Sequence, residues 1–137
     1  IGEDQARCGS PFVIERSPVT RTSLLVPVAE AIVDAVFSIT AADGGRWRPS
    51  PFLGYSDHAL FAGPHFGCAA VQFAHWPDRF NHSAADTLDK VSALEMRRSI
   101  AAAALLLTDV ASDYAELRTE MAALVDAWCL REAARTD

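Results

Sequence analysis

All four histidines of the chain, His58, His65, His75 and His82, fall within 25 residues of one another. The last stands in Phe80-Asn81-His82-Ser83-Ala84-Ala85-Asp86-Thr87-Leu88-Asp89-Lys90-Val91, with carboxylates four and seven residues further on. Imidazole is a preferred zinc ligand, and a ligating His commonly has its second ring nitrogen held by a carboxylate or carbonyl. The spacing therefore admits a metal ligand at His82, with Asp86 orienting the loop around it. It equally admits a simple loop hydrogen-bonder at His82, a turn residue at Asp86 and an exposed Asp89–Lys90 pair. Trp76 and Phe80 precede His82 and would either line an apolar pocket or join the core. Asp57 and His58 lie in Ser56-Asp57-His58-Ala59-Leu60-Phe61. On the residues alone the segment reads as a short helix with Ser56 or Asp57 as its cap. His65 and His75 are given no role.

These residues need a scaffold, and hydrophobic periodicity supplies one. Phe12-Val13-Ile14 reads as a strand. From Pro27, apolar residues at 28, 31, 32, 35, 36 and 39 mark one face of a helix, with Glu30 and Asp34 opposite and Asp43-Gly44-Gly45 ending it. Arg46 to Gly54, interrupted by Pro49 and Pro51, reads as an edge strand or a loop. Cys68 to Ala74 reads as a buried strand in a largely parallel sheet, and His75 to Asp86 as the loop leaving it. Ser92 caps a helix running to about Ser112, with Glu95 three residues after the cap and Ile100, Ala104, Leu107 and Ala111 on its apolar side. Ser112 or Asp113 caps a last helix, with Leu117, Met121, Leu124 and Trp128 on one face. The expectation is an α/β chain of three to four helices and few strands, the C-terminal half of a mostly parallel sheet domain.

Composition narrows the functions. Half of the 137 residues are hydrophobic and 22% are charged, a globular rather than a disordered balance. The net charge of −6, with Lys90 the sole lysine, argues against nucleic acid or an anionic membrane as partner. The uncharged run Ile100 to Leu107 falls far short of the ~20 residues that a membrane helix needs. Cys8, Cys68 and Cys129 show no metal spacing and suggest buried, reduced thiols in a cytoplasmic protein, the alternatives being one disulfide between two of them and a secreted protein.

The segment His82-Ser83-Ala84-Ala85-Asp86-Thr87-Leu88-Asp89-Lys90-Val91 resembles the "His-Thr/Ser-x-x-Asp-Thr-x-Asp-x-Ile/Val" stretch of the co-catalytic di-zinc aminopeptidases, the family of bacterial leucyl aminopeptidases related to glutaminyl cyclases. Gly54-Tyr55-Ser56-Asp57-His58-Ala59-Leu60-Phe61 is similar to the family's "Gly-Ser-Asp-His/Tyr-x-x-Phe". Gly67-Cys68-Ala69 stands in the place of its "Gly-Ile-Pro", with Ala69 where proline is common. Ile1-Gly2-Glu3-Asp4 resembles the end of the family's "Asp-Met-Ile-Gly" and its continuation. The likeness spans about residues 1 to 111, in order.

The resemblance implies a zinc-dependent peptidase that removes N-terminal residues from peptides with metal-activated water, using two zinc ions. Of its metal ligands only His82 transfers to this chain. The remaining ligands and the base Glu would lie upstream, so no catalytic residue falls within residues 1 to 137, which would form the C-terminal portion of the catalytic domain. Asp57, His58, Asp86, Trp76 and Phe80 would shape the cleft, with Trp76 and Phe80 facing the substrate's N-terminal side chain. The expected partners are a peptide substrate and the missing N-terminal half. A non-catalytic binding or scaffolding relative, and a glutaminyl-cyclase-type acyltransferase, are the other functions on this fold. A half-sheet standing alone would expose a raw edge and an apolar face, so a homo-oligomer is also expected.

Overall fold

The computed structural model of the chain describes residues 9–21, 23–40, 42, 45–112 and 114–135, backbone only over 114–118. The expectations for Ile1 to Asp4, Cys8, Asp43-Gly44, Asp113 and the Leu117 side chain lie outside the described residues. Three strands, β1 (Phe12–Glu15), β2 (Trp47–Ser50) and β3 (Gln72–His75), form one sheet in the order β2-β1-β3. Four helices accompany them: α1 (Leu25–Thr40), α2 (His58–Ala62), α3 (Ala93–Ala111) and α4 (Tyr114–Ala133). None of these is long and apolar enough to cross a membrane.

The sheet is mixed, not mostly parallel. β1 pairs parallel with β2 (Phe12 opposite Trp47) and antiparallel with β3 (Phe12 opposite His75). The strand expected over Cys68 to Ala74 forms only from Gln72, and it is half-buried at an edge rather than enclosed. β2 tolerates Pro49 because it is the other edge. Phe12 N–H bonds to the Arg46 carbonyl and Arg16 N–H to that of Ser50, so the nitrogen of Pro49 faces away from β1, where no donor is needed.

β1 alternates across the sheet, as a strand must. Phe12 and Ile14 face α1 and α3, packing with Val33, Val36, Phe37 and Ala102. Phe73 and His75 of β3 share that face, their rings 5.6 Å from the Phe12 ring. Val13 and Glu15 point to the opposite face and are buried there as well.

Of the expected α1 stripe only Val28 and Val36 are buried; Ala31 and Ile32 are half-buried, Ala35 is exposed, and the core-facing side runs through Val28, Ala29, Val33, Val36 and Phe37. Ile39 is exposed, and Glu30 is buried rather than facing solvent. The cause is a polar network. Arg16 Nε donates to Glu30 Oε1 at 2.6 Å, and Trp128 Nε1 donates to Glu30 Oε2 at 2.9 Å. Arg16 also holds Glu132 with two bonds of 2.7 and 2.9 Å and lies over the Trp128 ring. The inward side of α4 is thus Met121, Val125, Trp128 and Glu132, spaced 4, 3, 4, and Leu124 is turned outward.

α3 gives the largest departure. Ser92 does cap it, accepting from Glu95 N–H. The side expected to be buried, with Ile100, Ala104 and Leu107, is nevertheless the exposed one, and the helix buries Glu95, Arg98, Ala102 and Leu106. Glu95 bonds inward to His75 Nε2 at 3.1 Å and to Arg98. Arg98, 1% exposed, stacks over Phe37 and donates to the Thr40 hydroxyl at 2.9 Å and the Thr40 carbonyl at 2.6 Å. A guanidinium therefore closes the carboxyl end of α1, where a cation is favoured. Gly45 passes directly over it, and a Cβ there would collide with the Arg98 guanidinium. Cys68 and Cys129 are exposed rather than buried, one in a loop and one on the outer side of α4.

These networks set two expected outcomes. Glu95→Ala strands Arg98 and His75 in the core and should cost about 3 kcal/mol or more in urea unfolding, whereas Asp126→Ala on the exposed side of α4 should cost under about 0.5 kcal/mol. Arg16, by donating to it, holds the Glu132 carboxyl below its ordinary value of 4.5. A lowered carboxylate contributes stability above its unfolded value and loses it as pH falls through the folded one. The thermal midpoint of the native chain should therefore exceed that of Glu132→Gln at pH 6, with the gap closing as the pH falls below 4.5 through the lowered folded value.

Candidate functional site

The loop carrying His82 begins where β3 ends. Trp76 N–H bonds to the Pro11 carbonyl at 3.4 Å, and Ser10 Oγ donates to the Pro77 carbonyl at 2.7 Å. Beyond that anchor the loop is braced by its own short polar side chains, as Asx and Ser/Thr turns are. Asp78 Oδ1 accepts from Phe80 and Asn81 N–H at 2.8 and 3.2 Å. Ser83 donates to the Phe80 carbonyl through both N–H (3.0 Å) and Oγ (2.7 Å), and its Oγ accepts from Ala85 N–H. Phe80 is half-buried, with the Lys90 ammonium 5.3 Å from its ring centre. Lys90 also pairs with Asp89, and that contact, with the Thr87 hydroxyl after it, keeps the Asp89 carboxyl below the usual range.

His82 is the third residue of the turn closed from Ser83 to Phe80, and it sits at φ +60°, the left-handed conformation that such a position can demand. Its imidazole is exposed and has no hydrogen-bond partner among the described residues. Asp86 contributes its N–H to the Ser83 carbonyl at 3.2 Å, while its carboxylate makes no hydrogen bond to His82. Trp76 is 44% exposed at the start of the same loop.

Asp57 and His58 are neighbours in sequence and opposites in the fold. Asp57 is exposed at the start of α2 and its side chain caps nothing. His58 turns inward, edge-on to Phe52, and its Nε2 donates to Glu15 Oε1 at 3.0 Å. The same oxygen accepts from Leu53 and Gly54 N–H, each at 2.7 Å. His58 Nδ1 is buried without a hydrogen-bond partner. His58 is thus anchored at the Glu15 end of β1, whereas the His82 loop starts beside Pro11 at the other end. The structure joins Trp76, Phe80, His82 and Asp86 in one loop and leaves Asp57 and His58 outside it. His65 is exposed in the turn after α2.

Sequence reasoning missed Glu15, Glu95, Arg98 and a structural role for His75. A carboxylate ending the apolar run Phe12 to Glu15 was the available signal for the first; Glu95 was masked by its fit to a capping pattern. Among the described residues no group of three or more His, Cys, Asp or Glu side chains gathers into a metal site. A scan against protein-family models, a search of curated proteins and a search of solved structures each return no match to this chain.

Because three donors converge on one buried oxygen, Glu15→Ala leaves two backbone N–H groups and a ring nitrogen unpaired. It should cost about 2–3 kcal/mol and open residues 52–58 to limited proteolysis before the rest of the chain.

Proposed function

We infer that this chain is the C-terminal part of a zinc-dependent aminopeptidase-like hydrolase, to which it contributes His82 as a metal ligand. The observation that carries the reading is the presentation of His82. It stands in the segment that resembles the family's ligand motif, in a left-handed conformation at the turn of a self-braced loop, with its ring free. A histidine kept for packing would be buried and paired, as His58 and His75 are.

One imidazole fits a zinc ion as a single donor but cannot hold it, since zinc sites take three or four protein ligands. The others would come from beyond the described residues. Bound zinc would lower the pKa of a water and polarise the scissile carbonyl. This chain's own part is to hold the His82 backbone at its turn, through the Asp78 and Ser83 hydrogen bonds, and to offer Trp76 and Phe80 as apolar residues of the same loop. Asp57 stands on a separate loop that the Glu15–His58 pair holds in place.

In the intact protein, His82→Asn should leave stability unchanged, because Asn accepts the left-handed conformation. It should lower bound zinc and cut turnover of an aminoacyl anilide on the order of a hundredfold or more. Zinc content by elemental analysis and a rate assay read the two effects. Full zinc content with near-normal turnover would overturn the assignment.

A further inference from the structure

The side chain of His75 is 4% exposed, and both of its ring nitrogens face oxygen atoms. Nδ1 lies 3.3 Å from the Ser10 carbonyl oxygen, and Nε2 lies 3.1 Å from Glu95 Oε2. Carbonyl and carboxylate oxygens only accept, and a neutral imidazole carries one N–H. Both hydrogen bonds therefore exist together only when each nitrogen bears a hydrogen. A protonated Glu95 could supply the second hydrogen instead, but Arg98 pairs with the same carboxylate, and a neighbouring cation favours the ionised form. His58 makes the contrast: its Nε2 donates to Glu15 and its Nδ1 has no partner, so a single ring hydrogen serves it.

We propose that His75 is held in the core as an imidazolium and serves as a proton-operated latch on the root of the loop that carries His82. The ring stands where β3 ends and ties that point to two other elements, the entry to β1 through Ser10 and the first turn of α3 through Glu95. Burial alone favours a neutral ring. Here the Glu95 carboxylate offsets the charge on one side and the Ser10 carbonyl dipole offsets it on the other. β1 adds the Phe12 ring, edge-on at 5.6 Å, and no other charged side chain among the described residues bonds to His75. Arg98, the cation behind Glu95, turns N–H groups to the Thr40 hydroxyl and carbonyl and its plane to Phe37, which offset its own charge. When the His75 ring gives up one hydrogen, Nε2 keeps its own, because a carboxylate is the stronger acceptor. Nδ1 then presents a lone pair to the Ser10 carbonyl, and that tie becomes a repulsion. The loop root is left with the bond from Trp76 N–H to the Pro11 carbonyl at 3.4 Å and that from the Ser10 hydroxyl to the Pro77 carbonyl at 2.7 Å. The latch is thus closed at lower pH and opens as the pH rises, whether or not His82 binds zinc.

Nitrogen-15 NMR of the histidine rings in the 137-residue chain reads the latch directly. At about pH 6 both nitrogens of His75 should show a directly bonded, slowly exchanging hydrogen, and at about pH 9 only Nε2 should, these points standing on either side of the imidazole range. Amide exchange, corrected for its intrinsic pH dependence, should show Trp76 losing about tenfold in protection between the same points, the worth of one hydrogen bond. Val33, buried in α1, should keep its protection. His75→Gln, which cannot titrate, should show no loss at Trp76. A bare Nδ1 on His75 at about pH 6 would overturn the proposal, and the native ring decides this even where the variant fails to fold. So would two ring hydrogens persisting at about pH 9, which would make His75 a permanent lock. An equal loss at Trp76 in His75→Gln would also overturn it, by placing the titration elsewhere. None of these readings involves a metal, so they leave the assignment of His82 to its own assay.

Discussion

The fold hangs on a four-residue strand buried on both faces. β1 has a paired neighbour on each edge, so its backbone groups are met by β2 and β3 and need no water. Its side chains then divide the molecule. Phe12 and Ile14 bind α1 and α3 to one face through apolar contact, at about 2–3 kcal/mol of burial each. Glu15 binds the 53–58 segment to the other face through one oxygen. Arg16, immediately after the strand, reaches α1 and α4 together. Five consecutive residues thereby touch nearly every other element. A polar residue placed wrongly in this stretch would lose several attachments at once.

The polar groups in this core come as matched sets. Two carboxylate–histidine pairs lie on opposite faces of the sheet, Glu15 with His58 and Glu95 with His75. Each carboxylate has further donors: two backbone N–H groups for Glu15 and Arg98 for Glu95. Buried ion pairs seldom add much stability over apolar residues of the same shape, but removing one member is costly. Such sets therefore act mainly as locks on arrangement. His58 fixes where α2 begins, and His75 fixes where β3 hands over to the loop bearing His82.

The features legible in the sequence were those whose physics is local. Helix extents could be read because the 3.6-residue period of α1 and the Ser92 cap are local properties, and both hold. Pro49 was compatible with an edge strand, and β2 is one. The direction of β3 was not legible, since an apolar run of seven residues has the same appearance in either orientation. Nor could local pattern show that Glu30, Glu95 and Arg98 are buried, because, apart from the Glu95–Arg98 pair itself, the partners that draw them inward lie 14 or more residues away. For the candidate site, the His82 loop was readable from its polar turn residues, which brace it locally. Whether Asp57 and His58 share its cleft depended on which end of β1 each segment meets, and the motif alone carries no such information.

α3 shows how a buried polar group can outvote hydrophobicity. Its sequence offers two apolar sides, and burial area alone favours the one with Ile100 and Leu107 over the one with Ala102 and Leu106. That choice would leave His75 and the carboxyl end of α1 unmet in the core and would expose a Glu–Arg pair that bonds equally well to water. Turning Glu95 and Arg98 inward satisfies both, and the guanidinium gains an aromatic face from Phe37. The unmet polar groups would cost several kcal/mol, more than the difference in apolar contact. The richer apolar side is then left outward by necessity, so the same residues that give the core its unique arrangement also create a surface needing cover.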